Sequence, residues 1–157
     1  MFQAFLIKYG EIGVKGKNRY VFENALVDRM KEVLAETDGT FHIIREQGRI
    51  YVEAEGSFDY DETIEALKRV FGIVGICPVV LTEDHGFEAL SETVLDYMQK
   101  MYGDKTMTFK VMTRRVNKRF PMESMEVNAE LGGRILDQFP NMKVDVHHPD
   151  VILHVEL

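Results

Sequence analysis

FHIIREQGRIYVEA, residues 41–54, reads as two short strands, Phe41 to Arg45 and Arg49 to Ala54, hinged at Gln47-Gly48. A glycine at a two-residue junction supplies the positive φ that a tight hairpin needs. Helical patterns lie on both sides of this hairpin. Upstream, Phe22, Leu26, Met30, Val33 and Leu34 recur at helical spacing from Tyr20 to about Ala35, with Asn18 as the expected N-cap and Asp38-Gly39 as the stop. Downstream, Asp61 is the expected cap of a helix whose apolar face holds Ile64, Leu67, Val70 and Phe71, ending at Gly72. Outside the helices lie two apolar runs. Residues 2–9 (FQAFLIKY) read as a strand closed by Gly10, and Ile73 to Leu81 as a strand interrupted at Cys77-Pro78. The order βαββαβ is the ferredoxin-like arrangement.

A second unit follows the break at Glu83-Asp84-His85-Gly86. Phe87, Leu90, Val94, Leu95, Met98 and Met101 mark a helix ending at Gly103, and Met107 to Met112 alternate as a strand. Ser124 is the expected cap of a further helix with Val127, Leu131, Ile135 and Leu136 on its apolar side. Lys143 to His147 and Val151 to Leu157 read as strands. The class is α+β, with domains expected at residues 1–76 and 77–157. The last strand runs to the final residue, so the expectation is a piece of a longer protein.

Charge is unevenly placed. The 157 residues carry a net charge of -7, which on average opposes a polyanionic partner. Yet ten of the 19 basic residues fall within 8–19 and 105–119, where Glu11 is the only acid. The pattern predicts a basic face on an acidic body, which orients a nucleic acid rather than binding it anywhere. No apolar run is long enough to span a bilayer and the start lacks a signal peptide, so a soluble cytoplasmic protein is expected. The single cysteine, Cys77, has no internal disulfide partner and reads as a buried structural thiol.

Two segments have the chemistry for phosphate. YGEIGVKGKNR (9–19) sets three glycines and the cations Lys15, Lys17 and Arg19 at a strand-to-helix junction. Glycines there let backbone N–H groups approach an anion while the helix N-terminus adds positive potential. It matches neither a Walker A loop nor GxGxxG. The second segment, Lys110 to Pro121, combines Lys110, Arg114, Arg115, Lys118 and Arg119 with Thr113, Asn117 and Phe120, which are expected to add hydrogen bonding and a stacking surface for RNA. Gly132-Gly133, inside a helical pattern, reads as close packing against a strand, with backbone access for RNA as the alternative. His147 and His148 are adjacent on an extended chain and so point to opposite faces, which leaves no metal site to assign. No acid and base pair is assigned to catalysis.

The stretch YGEIGVKGKNR closely resembles the opening signature of tRNA 4-thiouridine synthases, also called tRNA sulfurtransferases. RRVNKRFPMESMEVNAELGGRIL (114–136) resembles the core of their THUMP domain. Val14 stands where the family often has leucine. The resemblance implies a ferredoxin-like domain, an α/β THUMP domain, and then a PP-loop domain that uses MgATP to activate a tRNA uridine for sulfur insertion. No SGGxDS-type loop occurs in these residues, so the chain itself is expected to hold no cofactor and to be inactive. Carried over by position, Lys15, Lys17, Arg19, Lys110, Arg114, Arg115, Lys118 and Arg119 would grip the acceptor stem and 3′ CCA end of tRNA, assisted by Phe120 and Asn128. The implied partners of the parent are tRNA and a cysteine desulfurase, with a homodimer possible, and the parent would also supply sulfur for the thiamine thiazole. Two alternatives remain: the RNA-binding module of another tRNA-modifying enzyme, and a ferredoxin-like module that binds a small regulatory molecule.

Overall fold

The computed structural model describes residues 3–10, 17–46 and 48–157, and of Lys17 the backbone alone. The chain divides into two compact units, Met1–Thr82 and Glu83–Leu157. The division falls later than the expected boundary at residue 76. The strand Ile73–Val79 carries Cys77 and Val79 into register with Leu6 and Ala4, so these residues belong to the first sheet.

In the first unit β1 (Ala4–Tyr9), α1 (Lys17–Ala35), β2 (Thr40–Glu46), β3 (Arg49–Glu55), α2 (Tyr60–Lys68) and β4 (Ile73–Val79) follow the expected βαββαβ order. The sheet is antiparallel with strand order β2-β3-β1-β4. The hairpin forms where the sequence places it: Glu46 pairs with Arg49, and Gly48 takes φ 74°. Alternation along β1 and β3 sends Phe5, Ile7, Ile50 and Val52 into a core shared with Leu26, Met30 and Leu34 of α1 and Leu67 of α2. Burying such a side chain contributes roughly 1.5–3 kcal/mol, so a core of this kind is the main stabilising term.

Local details depart from expectation. Asn18 lies inside the first turn of α1 rather than capping it. Asp59 caps α2 by accepting from the Glu62 N–H at 2.9 Å, two residues earlier than Asp61. The helix then ends at Lys68, before the pattern runs out, and Phe71 is 83% exposed instead of packed. Gly72 adopts φ 103°, and its carbonyl accepts from Gly10, which joins the end of this segment to the end of β1. Cys77-Pro78 do not interrupt β4, an edge strand paired with β1 on one side only, which is where a sheet tolerates proline. Cys77 is half-buried rather than buried.

The second unit contains α3 (Phe87–Met101), β5 (Met107–Arg114), α4 (Ser124–Gln138), β6 (Met142–Val144) and β7 (Val151–Glu156). Its sheet is parallel, with β5 between β6 and β7. Met107, Phe109 and Val111 alternate toward a core that includes Val94 and Met98 of α3, Val127, Leu131 and Ile135 of α4, and Leu153 and Val155 of β7. Arg134 clasps the two helices, donating to both Glu88 carboxylate oxygens at 2.8 Å and to the Ser91 hydroxyl, with its guanidinium over the Phe87 ring.

Here too the ends differ. Ser124 is the first residue of α4, and Glu123 stands at the cap position with no side-chain hydrogen bond to the helix N-terminus among the described residues. Leu136 is 39% exposed, outside the core face. β6 stops at Val144 because the Asp145 carboxylate accepts from the backbone N–H groups of His147 and His148 at 3.0 Å, which turns the chain. Asp150 then accepts from the Thr108 N–H and donates its own N–H to the Thr108 hydroxyl, both at 2.9 Å, fixing the entry to β7.

Candidate nucleic-acid interface

The segment after β5 is held by backbone bonds. Leu157 donates to the Arg114 carbonyl, and the Leu157 carbonyl accepts from Val116 and Asn117 at 2.6 and 2.8 Å. The Asn117 side chain accepts from the Arg119 N–H at 3.1 Å, and Phe120 closes a turn onto the Asn117 carbonyl. This is an Asx-type turn, which presents the intervening Lys118 to solvent.

Within this loop the expected RNA residues fall into two groups. Arg115 is only 19% exposed: it donates to the carbonyls of Phe120 and Met122 at 3.1 and 3.2 Å and pairs with Glu123. Phe120 is 4% exposed and sits in the core, so the expected stacking surface is corrected: its ring is already used in packing within the second unit. Asn128 accepts from the Thr113 N–H at 2.8 Å, which pins α4 to the end of β5. These three build the loop. Arg114, Lys118 and Arg119 are exposed, and their side chains have no hydrogen bond or ion pair among the described residues.

Alternation along β5 places Lys110, Met112 and Arg114 on the sheet face opposite the helices. The Lys110 ammonium reaches the Val146 carbonyl at 3.4 Å. In register beside these, Ile152 faces Lys110 and His154 faces Met112, and Lys143 of β6 pairs with Thr108. Lys143 therefore joins the cationic face, which the sequence reading missed, with His154 beside Met112 and Glu156 in register with Arg114. The signal is the parallel register, which strand alternation alone does not supply. A parallel sheet seldom leaves one face bare, so this face is suited to a partner.

In the first unit, Lys15 lies outside the described residues, as does the glycine loop from 11 to 16; of Lys17 only its place at the start of α1 is described. Arg19 is tied to its own unit: it donates to Glu23 at 3.1 Å and to the Tyr9 hydroxyl at 3.4 Å, and Tyr9 in turn donates to Glu23. Burial works against the Glu23 charge, yet hydrogen bonds from Tyr9 and Arg19 and the nearby Arg19 and Arg45 charges outweigh it, so the carboxyl titrates below its ordinary value. Burial, then the Glu23 contact, pushes the Tyr9 phenol up. Glu23 thus offsets part of the Arg19 charge.

No described helix is long and apolar enough to cross a membrane. Comparison with known proteins agrees with the two-unit division. Residues 4–77 match the family described as the ThiI ferredoxin-like domain, and residues 85–157 match the THUMP domain. A probable tRNA sulfurtransferase of Lachnospira eligens is 61% identical over the whole chain, and one of Agathobacter rectalis is 53% identical. The chain spans 40% of the length of each of these relatives. Among solved structures, a 4-thiouridine synthetase in complex with RNA and with bound ATP matches 99% of this chain and 38% of its own, with a TM-score of 0.82 and 32% identity. A Pyrococcus horikoshii protein matches 98% of this chain and 50% of its own, at 0.77 and 32%. Both domain types occur in order and the similarity to the probable tRNA sulfurtransferases runs through the entire chain, so the chain is a ThiI-type ferredoxin-like domain followed by a THUMP domain.

Proposed function

We propose that this chain is the tRNA-gripping part of an ATP-dependent tRNA sulfurtransferase that makes 4-thiouridine. The observation that carries the proposal is the set of exposed cations Arg114, Lys118 and Arg119, without a partner among the described residues and held on a hydrogen-bonded loop at the end of β5 in a chain of net charge -7. Cations without acidic partners are the ones free to replace counterions on phosphate. Lys110 and Lys143, with His154 beside them, extend the surface across the open sheet face. The RNA in the similar solved complex supports the same partner class. On this reading the acceptor stem and the single-stranded CCA end lie on these residues while the target uridine reaches a distant active site. MgATP, the sulfur donor, and any contribution to the thiamine thiazole belong to the remainder of the polypeptide, since no residue here forms a pyrophosphate-binding loop of the SGGxDS type.

Fluorescence anisotropy of a labelled acceptor-stem minihelix, with and without its CCA end, tests the proposal. Replacing Arg114, Lys118 and Arg119 together by Ala should weaken binding at least about tenfold and flatten the salt dependence by up to about three phosphate equivalents. Unchanged affinity in a folded triple variant refutes this placement. Equal affinity for the blunt stem refutes the CCA grip while leaving phosphate binding intact.

A further inference from the structure

Gly132 and Gly133 stand in the middle of α4, where each costs about 1 kcal/mol relative to alanine. Close packing against a strand is the expected compensation, and it is absent. A Cβ added at either position meets nothing within 4 Å beyond the helix's own backbone and the glycine's chain neighbours. Gly132 is buried while Gly133 is exposed, so it is at Gly133 that the cost has no return inside the unit among the described residues.

The surroundings of these glycines indicate what would use them. Met125, Ala129, Gly133 and Leu136 follow at spacings of four, four and three, which places them on one stripe of the helix. The stripe faces solvent: Met125 is 78% and Leu136 39% exposed, and Ala129 and Gly133 are exposed. Small residues in the middle with larger apolar ones at the ends form a groove into which another helix's side chains can pack. Beside it, also at spacings of four and seven, run the exposed acids Glu126, Glu130 and Asp137. That acidic ridge repels phosphate, so the stripe does not suit RNA. It suits an apolar segment flanked by Lys or Arg.

We infer that this face of α4 seats an amphipathic, cation-flanked segment of the same polypeptide, from the part that the relatives possess beyond the 40% of their length spanned here. Helices packing at a glycine come close enough for backbone contact, which accounts for Gly133 where no internal neighbour does. The inference rests on the likeness to these relatives and not on the RNA reading.

Cysteine labelling distinguishes the occupants. Ala129→Cys is introduced into the 157-residue chain and into the full-length polypeptide that carries it, and its maleimide labelling rate is followed by peptide mass mapping. Gln99→Cys on the exposed side of α3 serves as reference, and Met125→Cys is a second probe in case Ala129→Cys perturbs folding. Relative to the reference, labelling should be at least tenfold slower in the full-length protein without RNA. Glu126→Lys with Glu130→Lys should restore the fast rate there. Equal rates in the two proteins overturn the inference. Protection that appears only on adding an acceptor-stem minihelix makes RNA the occupant, and protection of the short chain that grows with its own concentration makes it a second copy; either overturns the inference. Protection that survives the double charge reversal overturns the cationic character of the segment. None of these outcomes depends on whether Arg114 binds RNA.

Discussion

Arg114 and Arg115 are neighbours in sequence with opposite consequences when removed. Arg115 donates two hydrogen bonds to loop carbonyls from a mostly covered position, so Arg115→Ala leaves those acceptors unmet and should lower stability by about 1–3 kcal/mol in urea unfolding. Arg114→Ala removes an exposed side chain with no partner among the described residues and should leave the unfolding midpoint unchanged within about 0.5 kcal/mol while weakening RNA binding. If both variants unfold like the parent, the division of this loop into strut and contact is wrong. Sequence alone presented the two arginines as equivalent members of a basic run. What separates them is the path of the chain after Phe120, which brings the carbonyls of residues 120 and 122 back to Arg115 and depends on Phe120 entering the core.

At the scale of the element, α4 and the turn before β7 each invite a measurement. Gly133→Ala meets open space, so in the 157-residue chain it should raise stability by about 0.5–1 kcal/mol, read as a higher urea midpoint. A loss of stability would show a hidden contact at that position. The Asp145 carboxyl is held below its ordinary value, first by the His148 N–H and then by the His147 N–H. A depressed carboxyl contributes stability that is fully present above the unfolded value near about 4 and is lost as pH falls through the folded value. Asp145→Asn should therefore flatten the acid limb below about pH 4, and an unchanged limb counts against the turn. The alternating and helical patterns identified every strand and helix among the described residues of both units, because burial on one face imposes a period that residue types reveal. The ends were less legible. The cap at Asp59 is decided by one hydrogen bond, the stop at Val144 by two, and the start of α4 after Glu123 by local chain direction, none of which leaves a periodic trace.

Over the whole molecule, charge is segregated rather than merely negative. Outside residues 8–19 and 105–119 the chain has nine basic and 25 acidic residues, and this remainder repels any polyanion that is not aligned with the basic surfaces. A blunt DNA duplex of the same length and salt should bind at least about tenfold more weakly than the acceptor-stem minihelix. Equal binding would mean that the surfaces act as a diffuse cationic patch. This segregation was legible in the sequence, since it needs only counting. The face built by Lys110, Arg114 and Lys143, with His154 beside them, was not, since it arises when β5, β6 and β7 come into register from positions 35 and 42 residues apart.

Strand order carries a consequence for synthesis. β1 lies between β3 and β4, and β5 between β6 and β7, so each sheet has its first-made strand at the centre. During translation that strand emerges with both edges unpaired. β1 gains its second neighbour only when Val79 has been made, some 70 residues later, roughly 4–14 s at ordinary elongation rates. Through that interval the nascent chain displays an apolar strand with no partner on at least one side. The ribosome-bound state, more than the finished protein, is where this chain is most exposed to strand-to-strand misassociation, and where a slow codon placed after residue 79 would let the first sheet close before the second begins.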